Sequence, residues 1–316
     1  MEHLELTILG ASSAIPLTNR YPSSQFLTLA SRHFLIDCGE GTQVRLRANN
    51  IGFSRIDRIF ISHLHGDHFF GLAPLLSTLH LLDRQKELHI YSPKGLKEAI
   101  QQQMKLQGSW LKYPVIFHNL QTDSFQNIYE DERVTVHSFP LKHSIDCFGF
   151  WFREKEKPRK MLKSAIEKYN IPPAEIRQIK NGKDWTDEDG NIIPNQELTT
   201  DPSSPLSYAY CTDTAPIDEL QDYLHAPDLL YHEATFMEEH RKRAVQTNHS
   251  TARDAAQMAL NVNAKQLMIG HFSVRYHDLD PLLEEARSVF PNTLLAGEGT
   301  TYALHPSRKK LKLIER

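Results

Sequence analysis

Cysteine is scarce. Cys38, Cys147 and Cys211 are scattered over 316 positions with no CxxC pair. That excludes a disulfide framework and a thiolate zinc site, and it fits a reducing compartment. No run approaches 18 apolar residues, so no membrane-spanning helix is expected. The opening MEHLELTILG lacks a basic region followed by a long apolar run, so no signal peptide is read. An excess of positive charge is also missing. The formal net charge is −3, which gives no general attraction to polyanions, so any RNA partner needs a local basic patch. The expectation is a soluble, cytoplasmic protein.

What is present is ordinary globular composition, 40% hydrophobic and 24% charged, in a chain long enough for one large core or two modest domains. Residues 4–9 alternate apolar and polar into Gly10, as a half-buried strand does. Residues 25–30 and 33–36 read as a hairpin about Ser31-Arg32, and a helix begins near Thr42. The apolar run 71–82 has helical spacing, 88–91 is a strand, and Pro93-Lys94-Gly95 opens a helix to about Gln107. Further strands are read at 115–119 and 134–140. This alternation predicts a layered α/β domain with helices covering a sheet sandwich.

One stretch organises the rest. The short buried strand at 58–62 delivers His63-Leu64-His65-Gly66-Asp67-His68. His63 and His65, two apart, point to one side at strand spacing, while Asp67 and His68 beyond the turn can face a second ion. Imidazole with carboxylate suits zinc, with manganese, iron or cobalt as alternatives. A lone His-x-His would read as a surface loop; the added Asp67 and His68 make a metal site the expectation.

The same device recurs along the chain. His143 follows the strand ending at Pro140, His271 follows 266–269, and Asp213 follows 207–211. A carboxylate at a strand end can bridge two cations, or it can cap the next turn. Asp37, after 33–36, either orients a ligand histidine from behind or caps the helix that follows. His80 and His89 read as structural. Ser250 or Thr251 caps a helix through Leu260, residues 294–299 return one more strand, and the basic tail reads as frayed.

From 153 to about 205 the pattern changes to dense charge broken by prolines and glycines. One short helix is read over 161–169, ended by Ile171-Pro172-Pro173. This segment reads as the most basic part of the chain. It is either a solvated excursion or an arm whose Lys and Arg neutralise phosphates.

Residues 62–72 (SHLHGDHFFGL), the opening LGASSAIP and Asp37-Cys38-Gly39-Glu40-Gly41-Thr42 together resemble ribonuclease Z, the tRNA 3′ endonuclease of the metallo-β-lactamase-fold superfamily. The resemblance runs from Leu9 to about Glu298. It implies an αββα sandwich of two mixed sheets covered by helices, one domain over 1–316 with a substrate arm inserted at 153–205. In that arm Ala174-Glu175-Ile176 stands where the family carries a Gly-Pro pair. Two zinc ions per chain are implied, with Mn2+ or another divalent metal as alternatives. One would sit on His63, His65, His143 and Asp213, the other on Asp67, His68, His271 and the same Asp213. Glu233 and His249 lie in stretches that resemble family motifs near the scissile phosphate. The implied substrate is precursor tRNA, cut after the acceptor stem to leave a tRNA 3′-hydroxyl and a 5′-phosphate on the trailer. The implied assembly is a homodimer whose arms serve one another's sites.

Two cations about 3.5–4 Å apart lower the pKa of water towards about 7 and offset the charge gained during in-line attack on a phosphodiester. Asp67 is then expected to take the proton of the water. His249, held by Glu233, is expected to protonate the leaving oxygen or else to bind a phosphate oxygen. The rival of the same fold is a phosphodiesterase for small diesters or cyclic nucleotides, which would share every ligand. A β-lactamase or thioesterase has no use for a basic arm, and a di-iron redox protein would carry Glu in place of His65. A non-catalytic RNA-binding module would show gaps in the ligand set.

Overall fold

In the computed structural model, which describes residues 4–106, 108, 111–122, 124–306 and 311–314, apolar side chains fill both faces of two large sheets. The first has eight strands in the order Leu311–Ile314, Thr301–Leu304, Leu4–Gly10, Ser24–Leu29, Arg32–Ile36, Arg58–Phe60, Leu88–Ser92 and Val115–Asn119. Pairing is antiparallel as far as Arg32–Ile36 and parallel beyond it. The second sheet runs Thr293–Leu295, Leu267–Gly270, Leu229–Glu233 and Ser207–Cys211 in parallel. Cys147–Glu154, Val134–Leu141 and Gln126–Glu130 then continue it antiparallel.

Strand periodicity sorts the side chains into layers. Leu6, Ile8, Phe34 and Phe60 meet Phe150, Phe152, Tyr208 and Tyr231 between the sheets. The Phe60 ring lies edge-on to Phe150 and Phe152, at 5.4 and 5.2 Å between centroids. On the outer face of the first sheet Leu35, Ile59 and Ile61 pack under helices Thr42–Ala48, Leu72–Leu81 and Leu96–Leu106. On the outer face of the second, Ala209, Leu230 and Ile269 pack under helices Ala252–Asn261 and Asp280–Arg287. The result is the expected αββα sandwich of two mixed sheets.

Three local readings change. The tail is not frayed where it is described: Leu311–Ile314 pairs with Thr301–Leu304 and extends the first sheet. Strand Gln126–Glu130 was not expected and edges the second. Thr251, not Ser250, caps its helix, through a reciprocal capping box with Asp254; the Ser250 hydroxyl donates to Thr214 O at 2.7 Å. Gln107, the expected end of helix Leu96–Leu106, lies outside the described residues.

The inserted segment leaves and returns on paired neighbours, since Arg153 faces Ser207 across strands Cys147–Glu154 and Ser207–Cys211. Between them, helices Lys163–Tyr169, Ile176–Lys180 and Asn195–Leu198 and two short ribbons enclose a core of their own. Ala165, Ile171, Ile179, Trp185, Ile193 and Leu198 form it. Its charge needs correction too. Over 153–205 ten Lys and Arg are matched by ten Asp and Glu. All ten cations fall within 153–183, so only that half is basic.

Candidate metal centre

Six strands end on one rim of the sandwich, and each delivers a polar residue there. Asp37, His63, His143, Asp213 and His271 follow their strands, and Glu233 ends its own. Asp37 and His271 turn sharply with φ of 57° and 59°. That left-handed conformation costs a non-glycine residue roughly 1 kcal/mol or more. Asp67 and His68 come from the single turn Gly66–Phe69. A methyl at Gly71 would lie 2.1 Å from Gly39 O, so this turn is pinned where two backbones cross.

The side chains form two clusters joined at Asp213. In the first, His65 Nδ1 lies 3.1 Å from His63 Nε2 and 3.2 Å from His143 Nε2. Asp213 Oδ2 lies 3.6 and 3.8 Å from the same two Nε2 atoms. In the second, His68 Nε2 and His271 Nε2 are 3.4 Å apart, and each is 3.5 Å from Asp67 Oδ2. The other oxygen, Asp213 Oδ1, is 3.3 and 3.1 Å from them. Ligands bound tetrahedrally at 2.0–2.2 Å stand about 3.3–3.6 Å apart. The spacings therefore match donors converging on a metal ion, and groups that can hold one are present in both clusters.

Outer partners fix which nitrogen faces inward. His68 Nδ1 donates to Asp37 Oδ2 at 2.7 Å. Ser62 Oγ donates to that same oxygen and receives His63 Nδ1 at 3.0 Å. His143 Nδ1 donates to Asn248 O at 3.1 Å, and His271 Nδ1 to Thr235 Oγ1 at 2.9 Å. Of the two readings of Asp37, the orienting one is observed.

The electrostatics favour a cation. Burial opposes charge on His68, yet Asp213, Asp67 and Asp37 outweigh it and hold the imidazolium well above its ordinary range. Burial also pushes the two carboxyls up. The facing histidines overcome this, His68 first for Asp67 and His271 first for Asp213. Both carboxyls stay well below the usual range. Asp67 Oδ2 additionally accepts Ala14 N–H at 2.8 Å.

Beside the clusters, His249 Nδ1 bonds Glu233 Oε1 at 2.7 Å. Burial lowers this imidazole, but the fully buried Glu233 carboxylate more than offsets it and leaves the value raised to about 9. His249 also converges with Asp213 and His271, and with Nδ1 taken by Glu233 its Nε2 is the nitrogen left for the cavity.

His65, Asp67, His143, Asp213, His249 and His271 open into a cavity of about 810 Å³, whose wall also carries Phe70, Arg243 and Arg275. The structure brings together every expected ligand together with Glu233 and His249. His80 and His89 lie elsewhere, bonded to Lys112 N and to His118. Sequence reasoning missed Ser62, Thr235 and Asn248 as orienting partners, and Arg243, Arg275 and Phe70 on the wall. Arg275 four residues beyond His271, and Phe70 inside the metal loop, were the available signals.

The chain is 47% identical over 304 residues to a protein of Bacteroides fragilis named ribonuclease Z, covering 96% of this chain and 100% of that one. Among solved structures it resembles human tRNase Z, short form, with a TM-score of 0.69 and 26% identity, covering 94% of this chain and 98% of the other. It also resembles the metallo-β-lactamase fold protein YhfI of Bacillus subtilis, with a TM-score of 0.67 at 17% identity over 96% and 100% of the two chains; that likeness shows the fold alone. The family described as Anti-Pycsar protein Apyc1 matches residues 4–149. That stretch holds the metal loop and His143 but stops before the arm, Asp213, Glu233, His249 and His271.

Proposed function

The chain belongs to the ribonuclease Z family of tRNA 3′-processing endonucleases, with the metallo-β-lactamase fold. From that premise we propose that it removes the 3′ trailer from precursor tRNA by zinc-dependent hydrolysis, leaving a tRNA 3′-hydroxyl and a 5′-phosphate on the trailer. The observation that carries this reading is Asp213, whose two oxygens face two separate donor clusters in a cavity shared with His249, itself held by the buried Glu233.

Two zinc ions, one on His63, His65, His143 and Asp213 and one on Asp67, His68, His271 and Asp213, would supply the charge that acidifies water and offsets the anionic phosphate. The remaining work falls to side chains. Asp67, oriented by Ala14 N–H, is the carboxylate placed to accept the proton of the attacking water. His249, protonated at neutral pH because of Glu233, donates its Nε2 proton to the departing ribose 3′ oxygen. Arg243 and Arg275 bind neighbouring phosphates, and the cations of 153–183 hold the body of the tRNA.

The assembly in this proposal is a homodimer in which one subunit's arm meets RNA seated on the other. The setting is the cytoplasm. Three buried free cysteines support a reducing compartment, and among the described residues no helix is long and apolar enough to cross a membrane.

The test is cleavage of an end-labelled precursor tRNA, with and without chelator, beside bis-p-nitrophenyl phosphate. A single chelator-sensitive cut at the end of the acceptor stem supports the proposal. Hydrolysis of the small ester with intact tRNA would move the function to a small-diester or cyclic-nucleotide phosphodiesterase.

A further inference from the structure

Phe69 and Phe70 are neighbours with opposite fates. Phe69 packs against the core beneath the first sheet's helices, whereas Phe70 is 61% exposed on the wall of the cavity. A large ring left open beside a reaction centre is an unmet apolar surface. Its position is also built. A methyl at Gly66 would lie 2.2 Å from Phe70 Cε2 and 2.6 Å from Cδ2 and Cζ, so only glycine lets the ring rest there. Phe69 braces it edge-on, at 5.0 Å and 65°.

Gly66 sits between His65 and Asp67, so the ring stands next to where a scissile phosphate must bind. Arg243 and Arg275 line the same cavity, which therefore suits a phosphate-bearing chain. A polyanion that also offers a flat apolar face beside each phosphate is a nucleic acid strand. We propose that Phe70 is a stacking platform for an unpaired nucleobase flanking the cut. Stacking requires a free base face, which an unpaired nucleotide presents. The proposal rests on the RNA reading above, and it makes Phe70 a determinant of where the strand is seated.

The test is a cycle between Phe70 variants and precursor tRNAs carrying an abasic nucleotide on one side of the cut or the other. Phe70→Ala should lower kcat/KM on unmodified precursor by about tenfold, and Phe70→Tyr should stay within about twofold of wild type. An abasic nucleotide at one flank should cost wild type a similar factor and cost Phe70→Ala little more. Multiplicative losses at both flanks would overturn the proposal, as would a Phe70→Leu as active as wild type. Loss of bound zinc in Phe70→Ala and Phe70→Leu alike would make the ring a mere support for the metal loop. Multiplicative losses accompanied by a change in sedimenting mass would assign the ring to a second copy of the chain. Wild type that hydrolyses a small diester but leaves unmodified precursor uncut would overturn the RNA reading, and the stacking role with it.

Discussion

Glu233 Oε1 lies 2.7 Å from His249 Nδ1, while Glu233 Oε2 accepts the Thr235 hydroxyl at 2.7 Å. That hydroxyl in turn receives His271 Nδ1 at 2.9 Å. One buried carboxylate thus holds the candidate proton donor on one side and braces a candidate metal ligand on the other.

The first prediction follows from the sign of that interaction. The carboxylate raises His249 to about 9, so the ring carries its proton at neutral pH and loses it as pH climbs through that value. A general acid works only while protonated, so His249 governs the alkaline limb of kcat. Glu233→Gln removes the negative charge and should move that limb down by more than one pH unit, leaving the acid limb in place. His249→Ala should lower kcat by roughly 10²–10⁴ and abolish the limb. An alkaline limb unmoved in both variants would leave His249 as a phosphate contact only.

Asp37 accepts four hydrogen bonds while fully buried, from Ser62 N and Oγ, Tyr210 OH and His68 Nδ1. Asp37→Asn tolerates the left-handed backbone but turns an amide NH2 towards groups that donate. The variant should fold with a loss of about 2–3 kcal/mol, and should bind zinc about 10–100-fold more weakly because His68 loses its anchor. Chelator competition measures this. Unchanged affinity would mean that Asp37 supports the fold alone.

Zinc removal should cost stability as well as activity. Without a divalent cation the two donor clusters are held only by hydrogen bonds and by the proton on His68. Metal at a hundredfold excess over its Kd adds about 2.7 kcal/mol, or roughly 4 °C in Tm for a chain of this size. The gain should shrink as pH falls. His68 is raised well above its ordinary value, so protons compete with metal for its ring, increasingly so at lower pH. Scanning calorimetry at pH 8 and pH 6, with and without chelator, reads both effects. Equal Tm values at pH 8 would contradict the metal assignment.

The ligand set is legible in the sequence because imidazole and carboxylate side chains at the ends of apolar strands have few other uses. Ser62, Thr235 and Asn248 escape notice because a hydroxyl or a backbone carbonyl has no metal signature. Their roles arise only when distant strands meet, as when Asn248 O reaches His143. The tail strand Leu311–Ile314 is hidden for a similar reason, since its pairing rather than its four residues defines it. In the arm the charges dominate the reading. Trp185, Ile193 and Leu198 come from elements of two to four residues, too short to show periodicity, yet they close a core. Phe70 is concealed by its own apolarity, which suggests burial.

The arm's self-contained core and its paired ends lead to the last prediction. Because Arg153 and Ser207 are neighbours across two strands, replacing residues 156–204 with a short Gly-rich turn should leave the sandwich and its metal clusters folded. The excised chain should bind zinc as the full chain does and hydrolyse bis-p-nitrophenyl phosphate at about the wild-type rate. Its KM for precursor tRNA should rise by at least about tenfold, and the salt dependence of RNA binding should become shallower as phosphate contacts are lost. Charge reversal at the exposed Lys163 and Arg177 within the full chain should reproduce part of that shift without touching the arm's core. An excised chain with wild-type KM and salt slope for tRNA would leave the arm with no part in holding substrate.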